Sequence, residues 1–238
     1  DCKLNGIRVS DVLTYFERET GKVKLDLLYP SWMIFSEGFA RNRLQTISER
    51  VFDIVASVIL LLITWPIMLL VAFAVILDDG FPILYRQERV GFQGHLFEVL
   101  KFRSMHVDAE KDGVPQWAAS DDERVTRVGR IIRKFRFDEL PQIINVLRGD
   151  MSFVGPRPER PDFVDQLSQR IPYYRERHCV KPGITGWAQL KYEYGASQQD
   201  ALEKLQYDLY YVKNHTLLLD LMILLQTAEV VLWRTGAR

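Results

Sequence analysis

From Ile54 to Leu77 the chain runs 24 residues without a charge, "IVASVILLLITWPIMLLVAFAVIL". As a helix this stretch would be about 36 Å long, enough for a hydrocarbon core of about 30 Å. Its middle is broken by "TWP". Pro66 has no backbone N–H and its ring crowds the preceding turn, so a kink is expected there. Each half, Ile54–Trp65 and Ile67–Leu77, would measure about 17 Å, close to the depth of one leaflet. The segment therefore permits either a spanning helix or a helix that enters and leaves on one side. Arg41, Arg43 and Arg50 precede it; Asp78, Asp79, Arg86 and Arg89 follow. Cations on both flanks favour the re-entrant form, since a spanning helix would have to translocate one of them.

The rest of the chain is polar enough to fold in water. With 238 residues there is material for one sizeable core or two small domains. The formal charge is zero, which removes the overall basic field expected of a nucleic-acid binder. Cys2 and Cys179 are far apart and form no disulfide framework; His95, His106, His178 and His215 form no zinc ligand pair. The chain begins with Asp1, and "RVSDVLTYFERETGKVKL" reads as a helix capped by Ser10 and stopped at Gly21, with Val12, Leu13 and Phe16 as its apolar face. Residues 1–45 are expected to be the tail of an upstream accessory domain plus a linker, in a chain that is a piece of a longer protein. The aromatic and basic stretch from Ser31 to Arg43 suits a membrane interface or a packed linker.

Beyond the apolar segment, Ile83–Arg86 and His95–Arg103 read as two strands joined by the glycine-containing turn "RVGFQG". Alternation would point Lys101 and Arg103 to the same face. In "SDDERVTRVGRIIRKFRF", Ser120 or Asp121 is the expected cap, with Val125, Val128, Ile132 and Phe135 at helical spacing among many arginines, Arg133 included. Such a helix suits anionic headgroups, and a solvated basic face suits it equally. "GPRPERP" holds Arg157 between Pro156 and Pro158, a stiff backbone that presents a guanidinium for bidentate phosphate binding. "VKPGITGWAQL" reads as a further rigid turn. Thr216–Trp233 is apolar but interrupted by Asp220 and Glu229, the mark of an amphipathic rather than a spanning helix.

"RFDELPQ" places Asp138 beside Glu139 between cations and a proline. Asp138 suits the N-cap of a helix through "ELPQIINVLRG", with Glu139 adding charge at the positive end of the helix dipole. The same two carboxylates also suit a catalytic pair. On residue type alone both readings stand.

Taken in order, "YRQERVG", "KFRSM", "DELPQIINVLRGDMSFVGPRPERP" and "KPGITGWAQL" after a proline-broken apolar helix resemble the bacterial sugar transferase family, the monotopic polyprenyl-phosphate phosphoglycosyl transferases of exopolysaccharide and O-antigen assembly. The resemblance runs from about Arg50 to the C-terminus. The kink reads Thr64-Trp65-Pro66 where members often carry Ser-Pro. The resemblance implies an α+β, mainly helical fold: a re-entrant membrane helix (46–80), and a helical catalytic domain (81–238) with a small β-hairpin and amphipathic interfacial helices. It implies transfer of a sugar-1-phosphate from a nucleoside diphosphate sugar, by base rate a UDP-hexose, to polyprenyl (undecaprenyl) phosphate, with nucleoside monophosphate released. It further implies magnesium held at Asp138 and Glu139, Asp138 as the nucleophile of a covalent phosphosugar intermediate, and Glu139 as its partner. The expected setting is the bacterial inner membrane with the site on the cytoplasmic face; membrane lipids and a second copy of the chain are the expected partners.

The charges fit that role. A carboxylate attacking a diphosphate meets about 1 kcal/mol of repulsion per charge pair at 4 Å in water, and about 4 at an effective dielectric of 20. Lys101, Arg103, Arg133 and Arg157 are the candidate phosphate-binding cations that would offset it. A magnesium-dependent hydrolase of diphosphate lipids or nucleotide sugars, and an inactive membrane scaffold for polysaccharide assembly, are the alternatives.

Overall fold

A computed structural model describes residues 11–28, 42–107, 109, 122, 124–192, 195 and 197–233. The architecture is α+β and mainly helical. Ser10, the stretch from Ser31 to Arg41, Ser120 and Asp121 lie outside the described residues.

Helix α1 (Val12–Thr20) ends at Gly21 in the left-handed conformation, as a helix-stopping glycine should. Of the expected apolar face, Leu13 and Phe16 are half-buried and Val12 is exposed; beside them buried Glu17 accepts hydrogen bonds from Lys213 Nζ (2.6 Å) and Asn214 Nδ2 (2.9 Å). Val23 then joins a core with Val164, Ile171, Leu205 and Leu209.

Helix α2 (Arg43–Asp79) opens with a capping box at Asn42 and contains the whole apolar stretch. Pro66 lies within it and leaves the Leu62 carbonyl without its helical donor. Thr64 Oγ1 donates to the Leu60 carbonyl at 2.7 Å, a local bond that bends helices. The two ends are held by the same polar body. Near the start, Arg50 donates to the carbonyls of Val146 and Leu147, and Asp53 Oδ1 accepts from Ser152 Oγ and the Phe153 amide. Near the finish, Val71 and Val75 pack with Phe102 and Ile132, and Asp78 accepts from the Val128 amide. Between these anchorages Leu62, Ile63, Trp65, Leu69, Leu70 and Phe73 are exposed.

Strands β1 (Leu84–Val90) and β2 (Leu96–Phe102) form an antiparallel hairpin that pairs Tyr85 with Lys101 and Val90 with Leu96. The first strand runs four residues past the expected Arg86, because its partner supplies ladder bonds through Val90. Helix α3 (Arg127–Lys134) starts later than expected. Thr126 is its cap, accepting from the Gly129 amide at 2.9 Å, and Val125 bridges Met105 instead of joining the helix.

Helix α4 (Gln142–Arg148) leads into β3 (Ser152–Val154), which pairs in parallel with β4 (Gly183–Thr185). The segments read as a stiff loop and a rigid turn thus form a second small sheet. It requires glycine: a Cβ on Gly183 would sit 2.1 Å from the Gly155 nitrogen. Helices α5 (Pro161–Arg170), α6 (Trp187–Lys191), α7 (Gln198–Asn214) and α8 (Leu217–Trp233) complete the body. In α8 the two charges part: Glu229 is exposed, whereas Asp220 lies on the side of the buried Ile223. Asp220 is buried, accepting from Tyr211 at 2.7 Å, while Leu218, Leu221, Met222 and Leu225 face outward.

Candidate active site

Between α3 and α4 the chain must reverse within a few residues, and Arg136 makes the bend at φ 58°, ψ 20°. Left-handed backbone is uncommon away from glycine and costs strain, which the packed helices on either side maintain. The bend delivers a single 3-10 turn, Phe137–Glu139. Asp138 is therefore not the cap of α4: that helix begins at Gln142 behind Pro141, and no side chain caps it. The capping reading fails because the turn inserts one extra bend before the helix.

Asp138 is 8 % exposed, and its Oδ1 has no hydrogen-bond partner among the described residues. Burial, then repulsion from Glu139, raises its pKa above the ordinary aspartate value; Lys101, Arg133 and Arg136 act in the opposite direction. Glu139 is the reverse case. Burial would raise it, but Arg157 and then Lys101 outweigh burial and hold the carboxyl well below the usual range. Lys101 Nζ lies 2.9 Å and Arg157 Nη2 3.1 Å from the same oxygen, Glu139 Oε1. One carboxylate is thus fixed in its charged form while its neighbour is left buried, unbonded and more basic. Two titratable neighbours pushed apart in this way mark a functional site.

A cavity of about 570 Å³ opens on Asp138. Lys101, Arg103, Arg133, Arg136 and Arg157 line it, with Arg89, Arg124, Arg160, Arg177 and Lys204 further along the wall. Such a wall suits a ligand carrying several negative charges. Tyr85, Phe163, Tyr174 and Tyr192 add aromatic surface.

The expected cations have different duties. Lys101 and Arg157 converge on Glu139, and Arg133 lies near enough to Asp138 to act on its charge. Arg103 is turned to the end of α2: its Nη2 donates to the carbonyls of Asp79 (2.7 Å) and Gly80 (2.6 Å) and lies 3.4 Å from Asp79 Oδ2. Strand β2 ends at Phe102, so the alternation that would have aligned Arg103 with Lys101 stops one residue short. Arg103 Nε and Nη1 remain without partners among the described residues. The carboxylate pair suits a hard divalent cation, since Asp138 Oδ1 is a buried acceptor that none of the described residues engages.

The family model for bacterial sugar transferases matches residues 44–234. The chain belongs to the bacterial sugar transferase family. An Aeromonas hydrophila UDP-N-acetylgalactosamine-undecaprenyl-phosphate N-acetylgalactosaminephosphotransferase is 42 % identical over 237 residues, covering 100 % of this chain and 55 % of its own length. A Xanthomonas campestris pv. campestris UDP-glucose:undecaprenyl-phosphate glucose-1-phosphate transferase is 40 % identical over 202 residues, 84 % of this chain and 42 % of that protein. A Salmonella typhimurium undecaprenyl-phosphate galactose phosphotransferase is 40 % identical over 203 residues, 79 % of this chain and 41 % of that protein. The chain thus spans about half the length of these relatives. Three sugars at nearly equal identity leave the sugar unassigned.

Sequence reading missed several family-domain residues that the fold gathers. Glu49, His215 and Asp220 meet outside the cavity, with His215 Nε2 3.1 Å from Asp220 Oδ2 and 3.6 Å from Glu49 Oε1, joining α2 to α8. Their separation in the chain concealed them. Arg136 gave no signal either, because arginine has no preference for the left-handed conformation it adopts here.

Proposed function

We propose that this chain carries the catalytic unit of a transferase that moves a sugar-1-phosphate from a nucleoside diphosphate sugar to undecaprenyl phosphate through a covalent intermediate on Asp138. The observation that carries this reading is the unpartnered, buried Asp138 Oδ1, facing a cation-lined cavity beside a Glu139 already neutralised by Lys101 and Arg157. In the first step Asp138 attacks the phosphorus that bears the sugar. The bond from that phosphorus to the bridging oxygen breaks, and nucleoside monophosphate leaves with the oxygen. In the second step an oxygen of undecaprenyl phosphate attacks the same phosphorus and releases the Asp138 carboxylate. Two displacements let the soluble donor leave before the lipid acceptor enters.

The raised pKa makes Asp138 a better nucleophile than an ordinary carboxylate once ionised, and the cations lower the repulsion between it and the diphosphate. Asp138 and Glu139 are the residues that would hold a magnesium ion, which when bound would further screen the phosphate charge. The site would face the cytoplasm of a bacterial inner membrane, where nucleotide sugars are made. A re-entrant α2 is supported by its two anchorages: Arg50 and Asp53 before the apolar stretch and Asp78 and Asp79 after it are held by one polar body, which cannot lie on both sides of a bilayer.

The test is the intact mass of detergent-solubilised protein after incubation with magnesium and a panel of UDP-sugars, acceptor omitted. A gain of one sugar phosphate, absent in Asp138→Asn and removed by undecaprenyl phosphate, is expected. Donor turnover with no adduct would replace this reading with hydrolysis or direct transfer.

A further inference from the structure

The segment Pro156–Glu159 has a bonding problem that its sequence creates. Two prolines supply no N–H, and an extended proline-rich backbone makes no internal hydrogen bonds, so its carbonyls need donors from elsewhere. All four find one. The Pro156 carbonyl accepts from the Gly183 amide (3.1 Å), Arg157 from Arg177 Nη2 (3.0 Å), Pro158 from Arg89 Nη1 (3.0 Å) and Glu159 from the Val90 amide (3.0 Å). Two of these donors are backbone amides within small sheets. The other two are guanidinium groups, and only Arg177 acts on the residue whose side chain reaches Glu139.

Arg177 is itself fixed. It is 5 % exposed, its Nη2 lies 2.7 Å from Asp208 Oδ2, and its Nη1 donates to the Tyr174 hydroxyl at 3.0 Å. Asp208 is 2 % exposed on α7, in the core of the domain. A continuous polar chain thus runs Asp208–Arg177–Arg157 carbonyl, and from the Arg157 side chain to Glu139 Oε1 at 3.1 Å. Arg157 is 38 % exposed at its side chain, too open for packing alone to hold it against Glu139. Its main chain is held as well, through the carbonyl that accepts from Arg177.

We propose that Arg177 is a positioning residue: held by Asp208, it fixes the main chain of Arg157 and thereby the geometry of the Arg157–Glu139 pair beside Asp138. This rests on the two-step reading above. Arg177 acts through Arg157, so its substitution changes the rate of phosphosugar adduct formation and leaves the donor concentration for half-maximal rate nearly unchanged. A misplacement of about 1 Å at a reacting centre costs up to roughly a hundredfold in rate, and a loss of ten- to a hundredfold is expected for Arg177→Lys. Lysine keeps the charge opposite Asp208 and loses the planar fork in which Nη1 on the Tyr174 hydroxyl fixes the direction of Nη2 toward Asp208 and the Arg157 carbonyl.

The deciding experiment is a double-mutant cycle on adduct formation, with Arg177→Lys, Arg157→Lys and the pair, each checked for cooperative thermal unfolding. Positioning through Arg157 requires that Arg177→Lys slow the wild type but have little further effect when Arg157 is already replaced. Independent, multiplicative losses would overturn it and make Arg177 a direct substrate contact or a general support of the fold. An unchanged rate in Arg177→Lys would also overturn it. Should Arg177→Lys fail to unfold cooperatively, Asp208→Asn in the same cycle releases Arg177 by a milder change and reads the same coupling. Absence of adduct in the wild type strikes at the two-step reading instead, so the two failures are distinguishable.

Discussion

Lys101 and Glu139 face each other across 2.9 Å, from a strand and a turn that also share the hydrophobic cluster around Phe102. Glu139 accepts this cation and Arg157 on one oxygen, and so stays ionised across any working pH. Asp138 is the group left to titrate. Only its ionised form is a nucleophile, and burial and Glu139 raise its pKa, so at limiting magnesium the rate of adduct formation should rise with pH through an acid limb higher than a solvent-exposed aspartate would give. Lys101 is the strongest influence holding that pKa down. Lys101→Met should therefore move the limb to higher pH and lower the plateau by roughly a hundredfold. A stopped-time mass assay over a pH series measures both; a limb that stays in place would mean that Asp138 is not the titrating group.

The same burial that activates Asp138 makes it a burden on the fold. A carboxyl whose folded pKa exceeds its unfolded one binds more protons when folded, so stability falls as pH rises from the unfolded value through the folded one. Asp138→Asn removes that dependence. The variant should be inactive yet more stable than wild type near pH 7, and the gap should close as pH drops below the ordinary aspartate range. Urea unfolding at two pH values tests this, and a variant less stable than wild type at pH 7 would refute it.

Arg103 occupies the cavity wall but serves the end of α2. Replacing it with Met strips the carbonyls of Asp79 and Gly80 of their donor and leaves the Asp79 carboxylate with His106 alone. The expected cost is about 2–4 kcal/mol of stability, or roughly 4–16 °C in melting temperature. Phosphate binding would appear instead as a higher half-saturating donor concentration at unchanged melting temperature.

Thr126 offers a local contrast. As the cap of α3 it holds the Gly129 amide, and neither residue lines the cavity. Thr126→Ala should cost about 1 kcal/mol and leave adduct kinetics intact. A large kinetic defect would show that the placement of α3, which carries Arg133, is set more delicately than one capping bond implies.

The features legible in the sequence are those with local causes. An uncharged run with a central proline, alternating residues around a glycine turn and an arginine between prolines each declare themselves within a few residues. What the sequence concealed depends on distant partners. Strands of three residues show no period, so β3 and β4 became visible only when paired across some thirty residues. Asp138 looked like a cap because nothing local announces the left-handed bend at Arg136. Asp220 and Glu229 marked α8 as amphipathic, but not that the fold turns Asp220 inward to Tyr211 and His215. At the site, the dyad, Lys101 and Arg157 were legible as types, while the division of labour between Lys101 and Arg103 was set by where β2 stops.

The membrane path of α2 yields the last prediction. Gln45 precedes the apolar stretch and Phe81 follows it, both exposed, and Arg50 and Asp79 beside them are bound by the same domain. A helix that returns to its own side places both positions in the same compartment. In a chain lacking Cys2 and Cys179, single cysteines at Gln45→Cys and Phe81→Cys should therefore react alike with a membrane-impermeant maleimide: both protected in intact cells, and both labelled in inverted vesicles. Pro66→Leu would restore the missing helical bond and favour a spanning path of about 36 Å. That path would drag one anchorage away from the domain, at the expense of the Arg50 or Asp78 contacts, so the variant should either keep the wild-type labelling with reduced stability or show opposite labelling of the two positions with adduct formation lost. Opposite labelling in the unmodified helix would make α2 a spanning segment, and the polar body would then have to release one of its ends.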